Sequence, residues 1–456
     1  VVGSVFVALG FLLGLRPLSD NSFLTHLATG RLILDQGAVP SADPFSFTAT
    51  GAPWVVQSWL VSVLLASLEE LAGPGAIRVA VGVAGGLLAA ALWALARPPA
   101  ERAGGNLFAR TGLVGVALVA GAGFWVERPL LVGLLGTALV LVALEGRVAA
   151  WWLVPLGWIW VNSHGSFPLG LLLVLAAALG ARLDGRSPRR ELVVGAWLTA
   201  GVALGVIGPL GLQALLFPAH LLGRVELLAH VVEWRAPTFD TWAQRAFLVL
   251  VALLFLGVAR APSFRYGLPA VGFVAMALLS VRNVPLAVLV CLPAIARGLP
   301  SLGRLQDRAR ARLGGVAVAA VVALAALGAV AQLEVAHYRL EQRYPLEALA
   351  WLGRQGGPPP DERHVLPDFA GNLLTLLHGA EGRVFFDDRF DMYPAELMED
   401  YVVLNSASPG WRSVLDRWDV DRVTWPLDRP LGPLLVESAE WQVVYLDEDW
   451  VQAVRR

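Results

Sequence analysis

The sequence contains no lysine; all 35 of its basic residues are arginine. That uniformity reads as the codon bias of a GC-rich genome and not as a binding signal, so no nucleic-acid partner is expected. Cysteine is equally scarce. Cys291 is the only one and lies in an apolar run, which excludes a disulfide framework and a thiolate metal site. Charge is thin as well: 16% of the 456 residues are charged, where a soluble chain carries about 25%. There is no internal repeat and no low-complexity tract, and GGPPP at 356–360 reads as a surface loop.

Apolar residues fill the gap. They make up 56% of the chain, and the mean hydropathy is +0.62. The apolar runs are flanked by arginines and by Gly/Pro breaks, a pattern that suits stacked membrane helices better than one large core. The expected fold class is mainly α: a polytopic transmembrane helical bundle of about eleven spans with a C-terminal extracytoplasmic α/β domain. Spans are expected near 1–18, 75–96, 111–126, 130–144, 151–163, 166–181, 191–208, 245–260, 266–280, 284–297 and 313–333. The chain opens on Val in mid-run, so further N-terminal residues are expected. No small-residue cleavage site follows that run, so it does not read as a signal peptide.

The arginines set the orientation. Arg97, Arg102 and Arg110 share one loop, and Arg182, Arg186, Arg189 and Arg190 a second. Arg260 and Arg265 share a third, and Arg297, Arg304, Arg308, Arg310 and Arg312 a fourth. Eleven spans put all four loops on one side, which the positive-inside rule makes the cytoplasm of a bacterial inner membrane. Residues 19–74, 209–244 and everything after 334 are then outside. This count requires 55–71 to be an interfacial helix and not a span. Charge divides the chain at the same place. Residues 334–456 hold 12 Arg against 22 acids, and residues 1–333 hold 23 against 14. Two domains are therefore expected: a membrane domain over 1–333, with 19–74 as its outer loop, and a soluble domain over 334–456.

The soluble domain should carry a mostly parallel sheet. Strands are expected at His364–Pro367, Arg383–Phe386 and Arg422–Trp425, and helices at Pro345–Gln355, Ala395–Leu404 and Trp411–Trp418. A closing hairpin should turn at Asp447–Asp449. In the outer loop, Phe23, Leu27 and Leu34 share one helix face, with Thr25, His26 and Thr29 turned away. That reads as an amphipathic helix on the outer leaflet. Asp20 precedes it and suits an N-cap, and Asp43 in Ala42-Asp43-Pro44 suits a turn.

Several motifs of this chain resemble the GT-C superfamily of membrane glycosyltransferases, the group that includes oligosaccharyltransferases, protein O-mannosyltransferases and lipid A aminoarabinose transferases. They are HLATG at His26–Gly30, Pro40–Thr48 with its DPFS, and Trp54–Leu60. Further echoes are Arg128-Pro129, Asn162–Gly165, Glu233-Trp234, Arg282-Asn283 and FFDDRFDMY at 385–393. The match is to an uncharacterised bacterial branch. The resemblance implies an inverting glycosyltransferase with a polyprenyl-phosphate sugar as donor and a glycan, lipid or protein as acceptor. Its first-loop acid, here Asp20, would be the base. A second acid in the next outer loop corresponds to Glu127, which as a bare helix-end carboxylate could equally reach for water.

Because the leaving group would be a phosphate, cations should line its site. Arg78, Arg128 and Arg282 fall at predicted outer helix ends, where snorkelling to headgroups is the alternative use. Val281-Arg282-Asn283-Val284 is the most pointed of these, since two polar side chains sit between apolar flanks. His26, Asp43, His164, Glu233 and Asn283 complete the candidate substrate-binding set; Glu233 could instead pair with Arg235. Asp387, Asp388 and Asp391 could bind a cation or sugar, or simply favour a helix N-terminus. Two positions depart from the branch. Asp20-Asn21-Ser22 replaces Asp-x-Asp, and Gln57-Ser58 stands where His is expected. The motifs require no cofactor, and Ser22 weakens the case for a divalent metal. A non-catalytic membrane-anchored scaffold, or a glycan-binding sensor, is the competing reading. Transport is disfavoured because the polar residues gather at helix ends and not at the midplane.

Overall fold

The structure is a computed structural model that describes residues 1–98, 107–224, 232–299, 310–339, 344–359 and 361–456. Arg102, Arg304 and Arg308 of the expected arginine loops, and Pro360 of GGPPP, lie outside these residues. The chain divides into two compact units. The first comprises Val1–Leu18, Leu71–Leu222 and Leu228–His337; the second comprises Ser19–Glu70, Gly223–Leu227 and Tyr338–Arg456.

The first unit is helical. Its described helices are α1 (Val2–Gly14), α4 (Pro74–Leu95), α5 (Leu107–Gly121), α6 (Leu130–Leu144), α7 (Leu153–Val161), α8 (Phe167–Leu183), α9 (Arg189–Leu204), α10 (Leu212–Leu222), α11 (Trp242–Arg260), α12 (Phe264–Leu279), α13 (Val284–Arg297) and α14 (Arg310–Glu334). All eleven expected spans fall on helices. By length and composition, Pro74–Leu95, Leu107–Phe124, Trp242–Arg260 and Ala317–Glu334 are long and apolar enough to cross a membrane, and α1, α6, α8 and α12 are shorter apolar helices. The helix at α10 was not expected. It interrupts the predicted loop 209–244 and keeps Pro218 in its interior.

Small residues let α1 lie close against α4. A Cβ on Gly10 would strike the Gly85 carbonyl, and one on Gly14 the Val81 carbonyl, which is how helices without a water-driven core approach each other. The centre of the unit is α13, buried from Val284 to Ala296. It is apolar all round, as a helix enclosed on every side must be. Large apolar side chains such as Leu87, Leu175 and Phe255 face outward instead, consistent with a lipid surround.

In the second unit, α2 (Asn21–Gln36) and α3 (Trp59–Ala72, most of it in this unit) join α15 (Leu346–Arg354), α16 (Asp368–His378), α17 (Ala395–Ser406), α18 (Trp411–Arg417) and α19 (Leu431–Glu437) around one sheet. The strands are β1 (His364–Val365), β2 (Arg422–Pro426), β3 (Trp441–Leu446) and β4 (Trp450–Arg455), in the order β1-β2-β4-β3. Only β1 and β2 are parallel; β4 runs antiparallel to both β2 and β3. The expected mostly parallel sheet is therefore corrected, because the closing hairpin inserts its second strand beside β2. The expected strand at Arg383–Phe386 is also corrected. Val384 makes a single parallel bridge to Ser46, with Val384 N donating to Phe45 O at 3.0 Å.

Phe45, Trp54 and Val56 share one core with Phe385, Phe386, Tyr393 and Trp425. Residues 45–56 thus fold as part of the second unit. Its helix α2 buries Phe23 and Leu27, but Thr25 and Thr29 are buried too, and Leu34 is 43% exposed. The expected face is corrected by about one helix step, because α16 and α3 take the side that was assigned to solvent.

Candidate functional site

In the first unit, polar side chains gather at the end where α6 and α13 begin and α7 and α12 finish. The 3-10 turn Val232–Trp234 docks on the 3-10 turn Val281–Asn283. Val281 N donates to Arg235 O at 2.9 Å, and Ser280 Oγ donates to Glu233 O at 3.0 Å. That seating sets the Arg282 guanidinium 5.4 Å from the Trp234 ring centre, with Nη2 3.1 Å from His164 Nε2. A guanidinium can only donate, so Nε2 is the acceptor. His164 Nδ1 lies 2.7 Å from Ser166 Oγ and 3.3 Å from Ser166 N. Ser166 Oγ also accepts from Trp160 Nε1 at 3.0 Å.

Arg128 pairs with Glu233 in the same cluster, and both remain partly exposed. Burial lowers the Arg282 pKa, while Glu233 raises it and Arg128 lowers it again. It stays a cation at neutral pH. Glu127 lies beside Arg128 in the turn before α6 and is 3% exposed. Among the expected residues, His164, Arg128, Glu233 and Arg282 are brought together, with Glu127 next to them in sequence.

Three expected or flanking residues take structural uses. Arg78 is fully buried; it donates to Leu15 O at 3.0 Å and to Gln332 O at 2.5 Å, and Nη1 lies 3.2 Å from His337 Nδ1. It ties the end of α1 to the end of α14. Asn162 donates to Trp158 O and Gly205 O at 2.9 and 3.2 Å. Asn283 donates to Met276 O at 3.2 Å, closing the last turn of α12.

In the second unit, Asp20 is the N-cap of α2. Its backbone is extended (φ −77°, ψ 135°), and Oδ1 accepts from Ser22 N at 2.9 Å. The cap use expected of Asp20 is therefore present, at a half-buried carboxylate. His26 Nδ1 lies 3.2 Å from Ser62 Oγ. Gly30 closes the motif because α3 passes over it so tightly that a Cβ would collide with the Ser62 carbonyl. The first turn of α2 also meets the FFDDRFDMY loop. Thr25 Oγ1 donates to Asn372 Oδ1 at 2.9 Å and to Asp388 Oδ1 at 3.2 Å, while Asn372 Nδ2 donates to Asn21 O at 3.2 Å.

Asp43 does not face a cavity. It is 2% exposed and accepts from Phe45 N at 3.0 Å, from Ser46 and from Arg389. Arg389 also grips Asp387 at 2.9 Å from Nε, and its guanidinium lies 4.9 Å from the Phe45 ring centre. Burial opposes the charge on Arg389, but Asp387, Tyr393 and Asp43 raise its pKa well above the usual value. Asp43 and Asp387 are thus the two anions of one buried arginine. The expected substrate contact of Asp43, and the cation-binding use of Asp387, give way to this ion triad. Asp391 lies within reach of the same charges: burial raises its pKa, Arg389 and Arg224 lower it, and Asp387 raises it again. Among the described residues, no three His, Cys, Asp or Glu side chains are placed to share a metal ion.

No protein-family model and no curated protein matches the chain. Solved structures do. The archaeal oligosaccharyltransferase AglB from Archaeoglobus fulgidus, in complex with an inhibitory peptide and a dolichol-phosphate, aligns with a TM-score of 0.53 at 13% identity, over 93% of this chain and 69% of that one. ArnT from Cupriavidus metallidurans, bound to undecaprenyl phosphate, aligns with a TM-score of 0.50 at 16% identity, over 98% of this chain and 96% of that one. The chain shares its fold with these two proteins.

Within that fold, Trp234, Ser166, Asn372 and Arg389 are the residues that sequence reasoning did not assign to a site. Trp234 carried a signal, since it adjoins Glu233 in a quoted motif. Arg389 carried another, as the lone cation among three aspartates and several aromatics at 385–393. Ser166 and Asn372 carried none, because their partners are distant in sequence or hidden by a turn.

Proposed function

We propose that this chain is an inverting glycosyltransferase that moves a sugar from a polyprenyl-phosphate donor to an acceptor at the outer face of a bacterial cytoplasmic membrane. The observation that supports this reading is the Arg282 guanidinium held against the His164 ring, beside the Arg128–Glu233 pair. Two guanidiniums gathered at one helix end suit an anionic ligand, because arginine forks match phosphate oxygens. On the same fold, AglB carries a dolichol-phosphate and ArnT carries undecaprenyl phosphate. The proposed membrane arrangement has eleven spans, with the arginine loops inside and residues 334–456 outside.

In the proposed reaction, the acceptor oxygen attacks the anomeric carbon from the face opposite the phosphate. The bond from that carbon to the phosphate oxygen breaks, and polyprenyl phosphate leaves with the electron pair. The acceptor's proton passes to Asp20. A carboxylate at a membrane boundary suits this step, because partial desolvation makes it more basic than in water. Arg282 and Arg128 offset the charge that grows on the leaving phosphate. Glu127 is the proposed second acid.

The test is Asp20→Asn, assayed by release of polyprenyl phosphate from membranes that supply the lipid-linked sugar pool. Asn caps a helix as well as Asp, so stability should hold to within about 1 kcal/mol. The rate should fall by roughly 10²–10⁴, the worth of a positioned general base. Equal rates for the two proteins would remove Asp20 from the reaction. No release by either would favour the scaffold or glycan-binding reading.

A further inference from the structure

At the other end of the first unit, where α6 and α8 finish and α9 and α12 begin, an open cavity of about 280 Å³ lies between the helices. Its charged lining is Glu145, Arg186, Arg190, Glu191 and Arg265. The carboxylates there are all engaged. Arg265 forks between Glu191 at 2.6 Å and Glu145 at 2.9 Å, and adds a bond to Leu144 O at 2.8 Å. The nearby Asp184 is saturated by the start of α12, accepting from Ser263 Oγ at 2.5 Å, Phe264 N at 2.7 Å and Arg265 N at 3.2 Å.

Arg186 and Arg190 line the same cavity, and Arg186 also acts electrostatically on Asp184. Neither has an ion-pair partner among the described residues. Arg190 is steered by local backbone. Its guanidinium lies against Gly146, which has φ +72°, and a Cβ there would collide with it. A small cleft of about 20 Å³, lined by Leu141, Leu173, Ala177 and Val290, shares Leu144, Glu145, Arg265 and Tyr266 with the cavity. Two guanidiniums without a salt bridge, at the edge of an apolar helix surface, match a ligand that carries an anionic phosphate beside hydrocarbon. Along α6, whose 15 residues rise about 22 Å, this place is separate from the Arg282 cluster. It has no part in the proposed transfer.

We infer that this cavity is a binding site for a phosphate group, of the kind carried by an anionic glycerophospholipid, with Arg186 and Arg190 as its cations. Basic pockets between membrane helices take such headgroups. The probes are phosphatidylglycerol, phosphatidylethanolamine and inorganic phosphate, added to the full chain in detergent and read by native mass spectrometry. The wild type should retain phosphatidylglycerol over phosphatidylethanolamine. The double variant Arg186→Gln/Arg190→Gln should lose roughly thirtyfold in phosphatidylglycerol affinity. Arg182→Gln/Arg189→Gln, which removes two arginines of the same loop outside the cavity, should retain it. Displacement of the lipid by inorganic phosphate would assign the site to the phosphate itself. Retention against phosphate would assign it to the whole lipid. No preference in the wild type, or equal loss in both double variants, would overturn the inference, since diffuse attraction to a basic loop explains either. Unchanged polyprenyl phosphate binding in the Arg186/Arg190 variant keeps this outcome distinct from that of the transferase proposal.

Discussion

Charged side chains in this protein divide by what surrounds them. Asp20 stands half-buried at a helix start, whereas Asp43, 23 residues later, is locked to Arg389. Removing one member of such a buried group is strongly destabilising, so changes at Asp43 report folding and not chemistry. His364 makes the same point for pH. Its pKa is pushed down to about 3 by burial, by Arg422 and by His378, and its ring shares a 2.8 Å hydrogen bond with Thr424. In the unfolded chain the ring takes a proton near pH 6.5, about its ordinary value. The folded state therefore loses stability as pH falls from about 6.5 toward 3, at roughly 1.4 kcal/mol per pH unit, and gains no pH dependence from this ring above that window. His364→Asn should flatten the decline in melting temperature between about pH 7.5 and about pH 4.5. Parallel curves for the two proteins would mean that another group drives acid sensitivity.

At the scale of elements, the helices were largely legible and the sheet was not. Apolar runs broken by Arg, Gly and Pro locate α4 through α9 and α11 through α14, because a membrane helix must satisfy its own backbone and bury or expose apolar side chains all along its length. Sheet polarity depends on which strands become neighbours, and no local pattern in 422–455 states that β4 lies between β2 and β3. The face of α2 was misread for a related reason. Thr25 and Thr29 are polar in sequence but buried by partners from α16 and by their own turn, Thr29 Oγ1 donating to Thr25 O at 2.7 Å. Gly30 was legible as part of a motif, but its use was not. Because α3 crosses it at backbone contact, Gly30→Ala must push the two helices apart. Overpacking of this kind should cost about 1–3 kcal/mol, measurable as a lower melting temperature of the full chain. An unchanged melting temperature would show that α3 gives way freely at Ser62.

For the whole molecule, the fold shared with AglB and ArnT is carried by arrangement and not by sequence, since identity to them is 13% and 16%. The cluster of His164, Arg128, Glu233 and Arg282 was legible because charge at a helix end between apolar flanks is costly without a use; that it joins through Trp234 was not. The proposed membrane orientation rests on the arginine loops. Alkaline phosphatase fused after Arg456 should be active in a bacterial host. A silent fusion there, with a fluorescent cytoplasmic reporter in its place, would reverse the proposed orientation. The central claim is tested most directly by the leaving group, because polyprenyl phosphate is common to every donor sugar and can be offered without knowing which sugar is moved. Native mass spectrometry of the full chain with undecaprenyl phosphate should show one bound lipid, and Arg282→Gln should weaken it by about tenfold or more, the loss expected when a charge-assisted hydrogen bond is removed. Equal binding by wild type and Arg282→Gln, or no binding by either, would contradict a phosphate site at this end of the bundle and the transferase built on it.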